Sequence, residues 1–281
     1  MKFLRHGAAG AEKPGLLHKD GSIRDLSQHL QDLSGPALHP DALARLAALD
    51  ADALPVVDAA TRLGPPVAGT GKFICIGLNY ADHAAESGMD VPPEPVIFMK
   101  ATSAICGPND PIVIPRTSTK TDWEVELAVI IGKPVKYVSE ADAMSHVAGF
   151  AVTNDVSERA FQTERAGQWT KGKSCDNFGQ IGPWLVTPDE IADPQDLGMW
   201  LTVNGERMQN GSTRTMVYQV PFIIHYLSQF MTLHPGDVIS TGTPPGVGMG
   251  MKPPRYLRAG DVVELGIDGL GQQRQQVVAD A

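Results

Sequence analysis

Two glutamates and an aspartate hold the densest potential chemistry in this chain. Glu124 and Glu126 lie two apart in the run Asp122-Trp123-Glu124-Val125-Glu126-Leu127-Ala128-Val129-Ile130-Ile131, and Asp155 ends a second apolar run that starts at Val147. Side chains alternate across a strand, so both glutamates share one face while Val125, Leu127, Val129 and Ile131 take the other. Their Cα atoms then sit about 6.6 Å apart, close enough for both side chains to converge on one cation. Buried like charges are costly unless something positive neutralises them. With Asp155 added, the donor set is all oxygen, which suits Mg²⁺, Mn²⁺ or Ca²⁺ rather than zinc. The plainer alternative is a pair of glutamates on the solvent face of a half-exposed strand, and spacing alone leaves both readings open.

Other candidates surround this set in sequence. Asn79 to Gly88 reads as a short helix with Asn79 available as N-cap, and His83 and Glu86 fall on one face of it. A carboxylate beside an imidazole fixes its tautomer and raises its basicity, as a general base requires; a surface pair has the same spacing. Arg159 and Gln162 come one turn apart at the start of a helix after Asp155. Gly167 to Ser174 satisfies the phosphate-loop pattern Gly-x4-Gly-Lys-Ser. That motif needs a strand before it and a helix after it. Here a charged segment precedes, and Gly179, Gly182 and Pro183 disfavour the helix, so Lys173 reads instead as a cation facing the acidic cluster.

The elements that must position these residues form two units by sequence. Residues 1–68 read as a small N-terminal domain: short strands at Phe3–His6 and Gly15–His18, a hairpin at Asp20-Gly21, a helix from Asp41, and an extended linker around Pro65-Pro66. Residues 69–281 read as the main domain, opening with a buried strand at Lys72–Gly77, with further strands ending in the Gly/Pro loop Gly242–Gly248. The net charge of −9, without a basic stripe, argues against nucleic-acid and anionic-membrane partners. Three cysteines without Cys-x-x-Cys spacing suggest neither a disulfide framework nor a zinc knuckle, and a cytoplasmic protein is expected.

Taken together, the motifs resemble the fumarylacetoacetate hydrolase family. The likeness rests on Gly77-Leu78-Asn79-Tyr80-Ala81-Asp82-His83-x-x-Glu86, Asp122-Trp123-Glu124-Val125-Glu126-Leu127, Asn154-Asp155-Val156-Ser157-x-Arg159, Gly172-Lys173-Ser174, and Gly236-Asp237-x-Ile239-x-Thr241-Gly242-Thr243-Pro244-x-Gly246-Val247-Gly248. It implies an α+β, predominantly β fold, a mixed β-sandwich roll with the small N-terminal domain alongside, usually dimeric. It implies Glu124, Glu126 and Asp155 as metal ligands, with Mg²⁺ the expected ion and Mn²⁺ or Ca²⁺ the alternatives. His83, Glu86 and Lys173 would be catalytic, His83 and Glu86 on a lid helix, and Tyr80, Arg159, Gln162 and Thr243 would contact the substrate. The implied activity is hydrolysis of a C–C bond in a 2,4-diketo acid. Lys171 to Phe178 and the N-terminal unit resemble the branch acting on 2,4-diketo-3-deoxy-L-rhamnonate or -L-fuconate, with pyruvate and lactate as products. Fumarylpyruvate or acylpyruvate hydrolysis and oxaloacetate decarboxylation are alternatives within the family. A non-catalytic 2-oxo-acid-binding module and a phosphate-loop nucleotide binder are alternatives outside it.

Overall fold

A computed structural model describes residues 1–82 and 92–280. Its largest sheet runs, strand beside strand, through Val56–Val57, Ile23–Asp25, Lys13–Leu17, Lys2–His6, Gly179–Val186, Val147–Asp155, Val125–Ile131, Val238–Ser240, Phe73–Gly77 and Val96–Lys100. A second sheet orders Glu206–Ser212, Gly198–Val203, Val262–Ile267, Gly271–Ala279 and Ile112–Ile114. This is the α+β, mainly β arrangement expected. No helix among the described residues is long and apolar enough to cross a membrane.

Val125–Ile131 is buried along its whole length because both of its faces meet a core. Val125, Leu127, Val129 and Ile131 pack with Leu201, Val203, Val263 and Leu265 of the second sheet. Ala128 and Ile130 pack on the other side with Phe3, Leu16, Leu38 and Leu43. The alternation read from sequence thus holds, but the polar-looking face is a second core rather than solvent.

The segment over 1–68 folds locally as expected, with strands, the hairpin turn at Asp20-Gly21 and the helix Pro40–Ala47, which His39 caps by accepting from Asp41 N at 3.2 Å. It is not a separate sheet. Lys2 and Phe3 pair with Val186 and Leu185, and Leu63–Gly64, within the expected linker, pairs with Arg5 and His6. The apolar face of the N-terminal strands has no core of its own to close on, so it closes on that of the main sheet.

Candidate active site

Strand register brings the acidic residues together. Val125–Ile131 runs antiparallel to Val147–Asp155 with Val125 opposite Asn154, and Asp155 N donates to Glu124 O at 2.9 Å. Glu124 and Asp155 therefore face each other at the ends of neighbouring strands, with Glu126 two residues along. One carboxylate oxygen from each of the three lies within 4.8 Å of the others, and all three side chains are buried. The expected uninterrupted strand from Asp122 is broken at Trp123 and Glu124: Thr121–Asp122 pairs instead with Ser157–Glu158. The break arises because Trp123 turns into the core, donating its Nε1 to Gly246 O at 3.0 Å.

Three buried cations stand against the carboxylates. Lys173 Nζ donates to Glu124 Oε2 at 2.7 Å and to Asp155 Oδ2 at 2.6 Å. Arg159 Nη2 lies 2.7 Å from Glu124 Oε1, while its Nη1 donates to Gln162 Oε1 at 3.0 Å. Lys100, at the end of its strand and buried, bonds Asp155 Oδ1 and the Val156 carbonyl. Glu126 accepts from the Ser240 hydroxyl and from Gly242 N, the latter at 2.8 Å. Burial, followed by the charges of Asp155 and Glu124, pushes the Glu126 carboxyl well above its ordinary pKa. Burial alone would pull the Lys173 ammonium down, but Asp155 and Glu124 outweigh it and hold it above its usual range. A buried set of three oxygen donors this close together fits a divalent cation, whose charge would offset the burial and repulsion that raise Glu126.

A cavity of about 220 Å³ opens over this cluster, and Glu124, Glu126, Arg159, Gln162, Lys173 and Thr243 all reach it. Thr243 is tied to the frame, its hydroxyl donating to Val125 O at 2.9 Å and accepting from Gln209 Nε2 at 2.8 Å. Tyr80 departs from expectation. It does not line the cavity; its bridge to Met216 turns the ring into the core, and its hydroxyl meets Met199 Sδ at 3.2 Å. The Asn79 side-chain amide donates to Thr241 O and Tyr218 O and its oxygen accepts from Tyr218 N; most of the helix it is expected to cap lies outside the described residues. His83 and Glu86 lie outside the described residues. The phosphate-loop pattern does not form a phosphate cradle. Thr170–Lys173 is a single helical turn, and Gly172 is glycine because a Cβ there would lie 2.4 Å from Glu158 O and 2.5 Å from Gln162 N.

Several contributors were not legible in the sequence. Lys100 gives only the weak signal of a lysine closing an apolar strand. Asp122 accepts from Arg159 Nε at 2.8 Å, Gly248 N at 2.7 Å and Met249 N at 3.0 Å, so it aims Arg159 and pins the Gly/Pro loop.

With this geometry in view, the comparisons with known proteins are decisive. The family described as Fumarylacetoacetate (FAA) hydrolase C-terminal matches residues 72–278. The chain belongs to the fumarylacetoacetate hydrolase family. A Burkholderia multivorans protein named "putative hydrolase" is 64% identical over 276 residues, covering 98% of each chain. Among solved structures, the fumarylacetoacetate hydrolase of Exiguobacterium antarcticum is 39% identical with a TM-score of 0.87, and 100% of each chain is covered. The maleylpyruvate hydrolase of Sphingobium sp. SYK-6, solved with manganese(II) and pyruvate, is 30% identical with a TM-score of 0.82 and the same full coverage. Both likenesses extend through residues 1–68, outside the family match, in keeping with the continuous sheet.

Proposed function

We propose that this family member is a divalent-metal-dependent hydrolase that cleaves a 2,4-diketo acid between C3 and C4, releasing pyruvate and a second carboxylic acid. The observation that carries this reading is the carboxylate cluster on the cavity floor with Lys173 and Arg159 beside it. Support also comes from the manganese and pyruvate in the Sphingobium relative. Glu124, Glu126 and Asp155 would hold a divalent ion, which would supply positive charge against the enolate charge that develops as the bond breaks. Water adds to the C4 carbonyl after giving up a proton, a role we assign to His83 oriented by Glu86. The C3–C4 bond then breaks with its electron pair left on C3 of the pyruvate enolate, and a proton returned to C3 completes pyruvate. Lys173, buried against the apolar ring of Phe98 at 5.1 Å, offers a fixed ammonium for the developing negative charge without solvent reorganisation. Arg159, held by Asp122 and Gln162, is positioned for the substrate carboxylate. Within the class, a 2,4-diketo-3-deoxy-L-rhamnonate or -L-fuconate is our preferred substrate and Mg²⁺ our preferred ion.

The test is pyruvate release from a panel of 2,4-diketo acids with Mg²⁺ or Mn²⁺, coupled to lactate dehydrogenase, with metal affinity read by calorimetry. Glu126→Gln is expected to lose metal binding and at least about 10³-fold in kcat/KM while keeping its cooperative unfolding. Turnover that survives complete chelation, or silence across the whole panel with metal bound, would defeat the reading.

A further inference from the structure

Glu124 and Val125 stand where the floor of the cavity leaves the regular sheet. The ladder between Val125–Ile131 and Val238–Ser240 continues as far as Thr241 N, which donates to Leu127 O at 3.1 Å. Gly242 then turns its chain off the strand with a φ of 102°, a conformation that suits glycine. At the next ladder position the backbone groups of Val125 are taken by side chains instead. Thr243 Oγ1 donates to Val125 O at 2.9 Å, and Gln209 Oε1 accepts from Val125 N at 2.9 Å. The Gln209 amide closes the ring, its Nε2 donating to Thr243 Oγ1 and to Pro244 O, both at 2.8 Å. On the other edge, Asp155 N donates to Glu124 O, while Glu124 N donates to the Asn154 side chain, Oδ1, at 3.1 Å. Asn154 is held in turn by Gln275, whose Oε1 accepts from it at 3.1 Å and whose Nε2 donates to Pro108 O at 2.7 Å.

Gln209, Asn154 and Gln275 are fully buried, and none is among the described residues lining the cavity. Gln209 and Gln275 come from the strands Glu206–Ser212 and Gly271–Ala279 of the second sheet, whose inner face is otherwise apolar where it meets Val125 and Leu127. Buried amides in such a core are costly unless paired, and here each oxygen faces an N–H and each nitrogen an acceptor. We propose that Gln209, and Gln275 through Asn154, are positioning residues: they hold the amides of Glu124 and Val125, and so set the spacing of the Glu124 and Glu126 carboxylates from the second sheet. This rests on the reading of Glu124, Glu126 and Asp155 as ligands of a divalent ion. Groups that orient metal ligands from behind change metal affinity by about 10–100-fold when lost.

Calorimetric Mn²⁺ binding tests this on the full chain, on Gln209→Met and on Gln275→Met, at a temperature where urea unfolding shows each to be folded. Ser228→Ala removes a buried hydroxyl that accepts from Val138 N and donates to His225 O, away from the cavity, and so reports loss of stability alone. Each Met variant is expected to weaken Mn²⁺ binding by about tenfold or more, and Ser228→Ala by less than about twofold. A weakening below about threefold in either Met variant, or one matched by Ser228→Ala, overturns the proposal. Gln209→Asn and Gln275→Asn, whose amides fall one methylene short, stand in under the same criterion for a Met variant that does not fold. Should the unaltered chain bind no Mn²⁺, the metal reading fails on its own, and amide hydrogen exchange followed by NMR decides. Faster exchange at Val125 in the Gln209 variant and at Glu124 in the Gln275 variant, with the rest of the strand unchanged, then upholds the positioning, and any other pattern overturns it.

Discussion

At the scale of single residues, the candidate site is a balance of buried charges, and Lys100 is the member whose removal is most informative. Its ammonium bonds Asp155 on the side away from Lys173 and is fully buried. Removing one partner of such a pair leaves the other uncompensated and costs about 3–5 kcal/mol, far more than loss of an exposed ion pair. Lys100→Met is therefore expected to lower the urea-derived unfolding free energy by about 3 kcal/mol, and Lys100→Met/Asp155→Asn to cost clearly less than the two single changes summed. Strict additivity, or a single variant within about 0.5 kcal/mol of the parent, would show that the pair is not energetically coupled. Lys100 also illustrates why the site was only partly legible. Glu124 and Glu126 announce themselves by alternation within one strand, whereas Lys100 reaches Asp155 from a strand 55 residues away, a separation to which no local pattern is sensitive.

At the scale of elements, the short turn Thr170–Lys173 is placed by one glycine. Gly172 lies against the backbone of Glu158 and Gln162, so a methyl group there must push the turn outward and take Lys173 with it. Gly172→Ala is expected to lower kcat/KM by roughly 10²-fold, because a displacement of about 1 Å at a charged catalytic group has that effect. A shift in the metal-binding constant much smaller than the loss of turnover would locate the damage at Lys173; unchanged kinetics would mean that the turn accommodates the methyl. Elements differ in how far the sequence announces them, according to whether local or tertiary chemistry decides them. The Asp20-Gly21 hairpin and the helix from Asp41 follow from local chemistry and are readable. The interruption at Trp123-Glu124 and the inward turn of Tyr80 are decided by the tertiary partners Gly246 and Met216, which local chemistry does not announce.

At the scale of the whole molecule, the N-terminal strands are part of the main sheet, and a buried histidine reports on them. His6 sits in the strand Lys2–His6, with its Nε2 4.0 Å from Asp25 Oδ2. Burial pulls its imidazole below the ordinary value of 6.5, against the upward pull of Asp25. Below pH 6.5 the unfolded chain thus binds the proton more readily than the folded one. This contribution to stability is complete above that pH and falls as pH drops from it toward the native value. Urea midpoints are expected to decline as pH falls below about 6.5, and His6→Gln to flatten that decline. An unaltered slope in the variant would assign the dependence to other groups.

The parallel pairing of Phe73–Gly77 with Val238–Ser240 sets the order of events when the chain is made. Phe73 and Val238 are neighbours in the sheet, and the loop between them must be closed before their contact returns any free energy. Until residues 238–240 leave the ribosome, Phe73–Gly77 and Val125–Ile131 each present an open edge where that strand will lie. Glu126 meanwhile lacks Ser240 and Gly242, the groups that fix its carboxylate. The hairpin of Val125–Ile131 with Val147–Asp155 can bring Glu124 and Asp155 together early, but the groups that fix the third carboxylate arrive only with residues 240–242. The three-carboxylate cluster is consequently completed only once that strand is in place, and the bare sheet edges before then are open to edge-to-edge pairing.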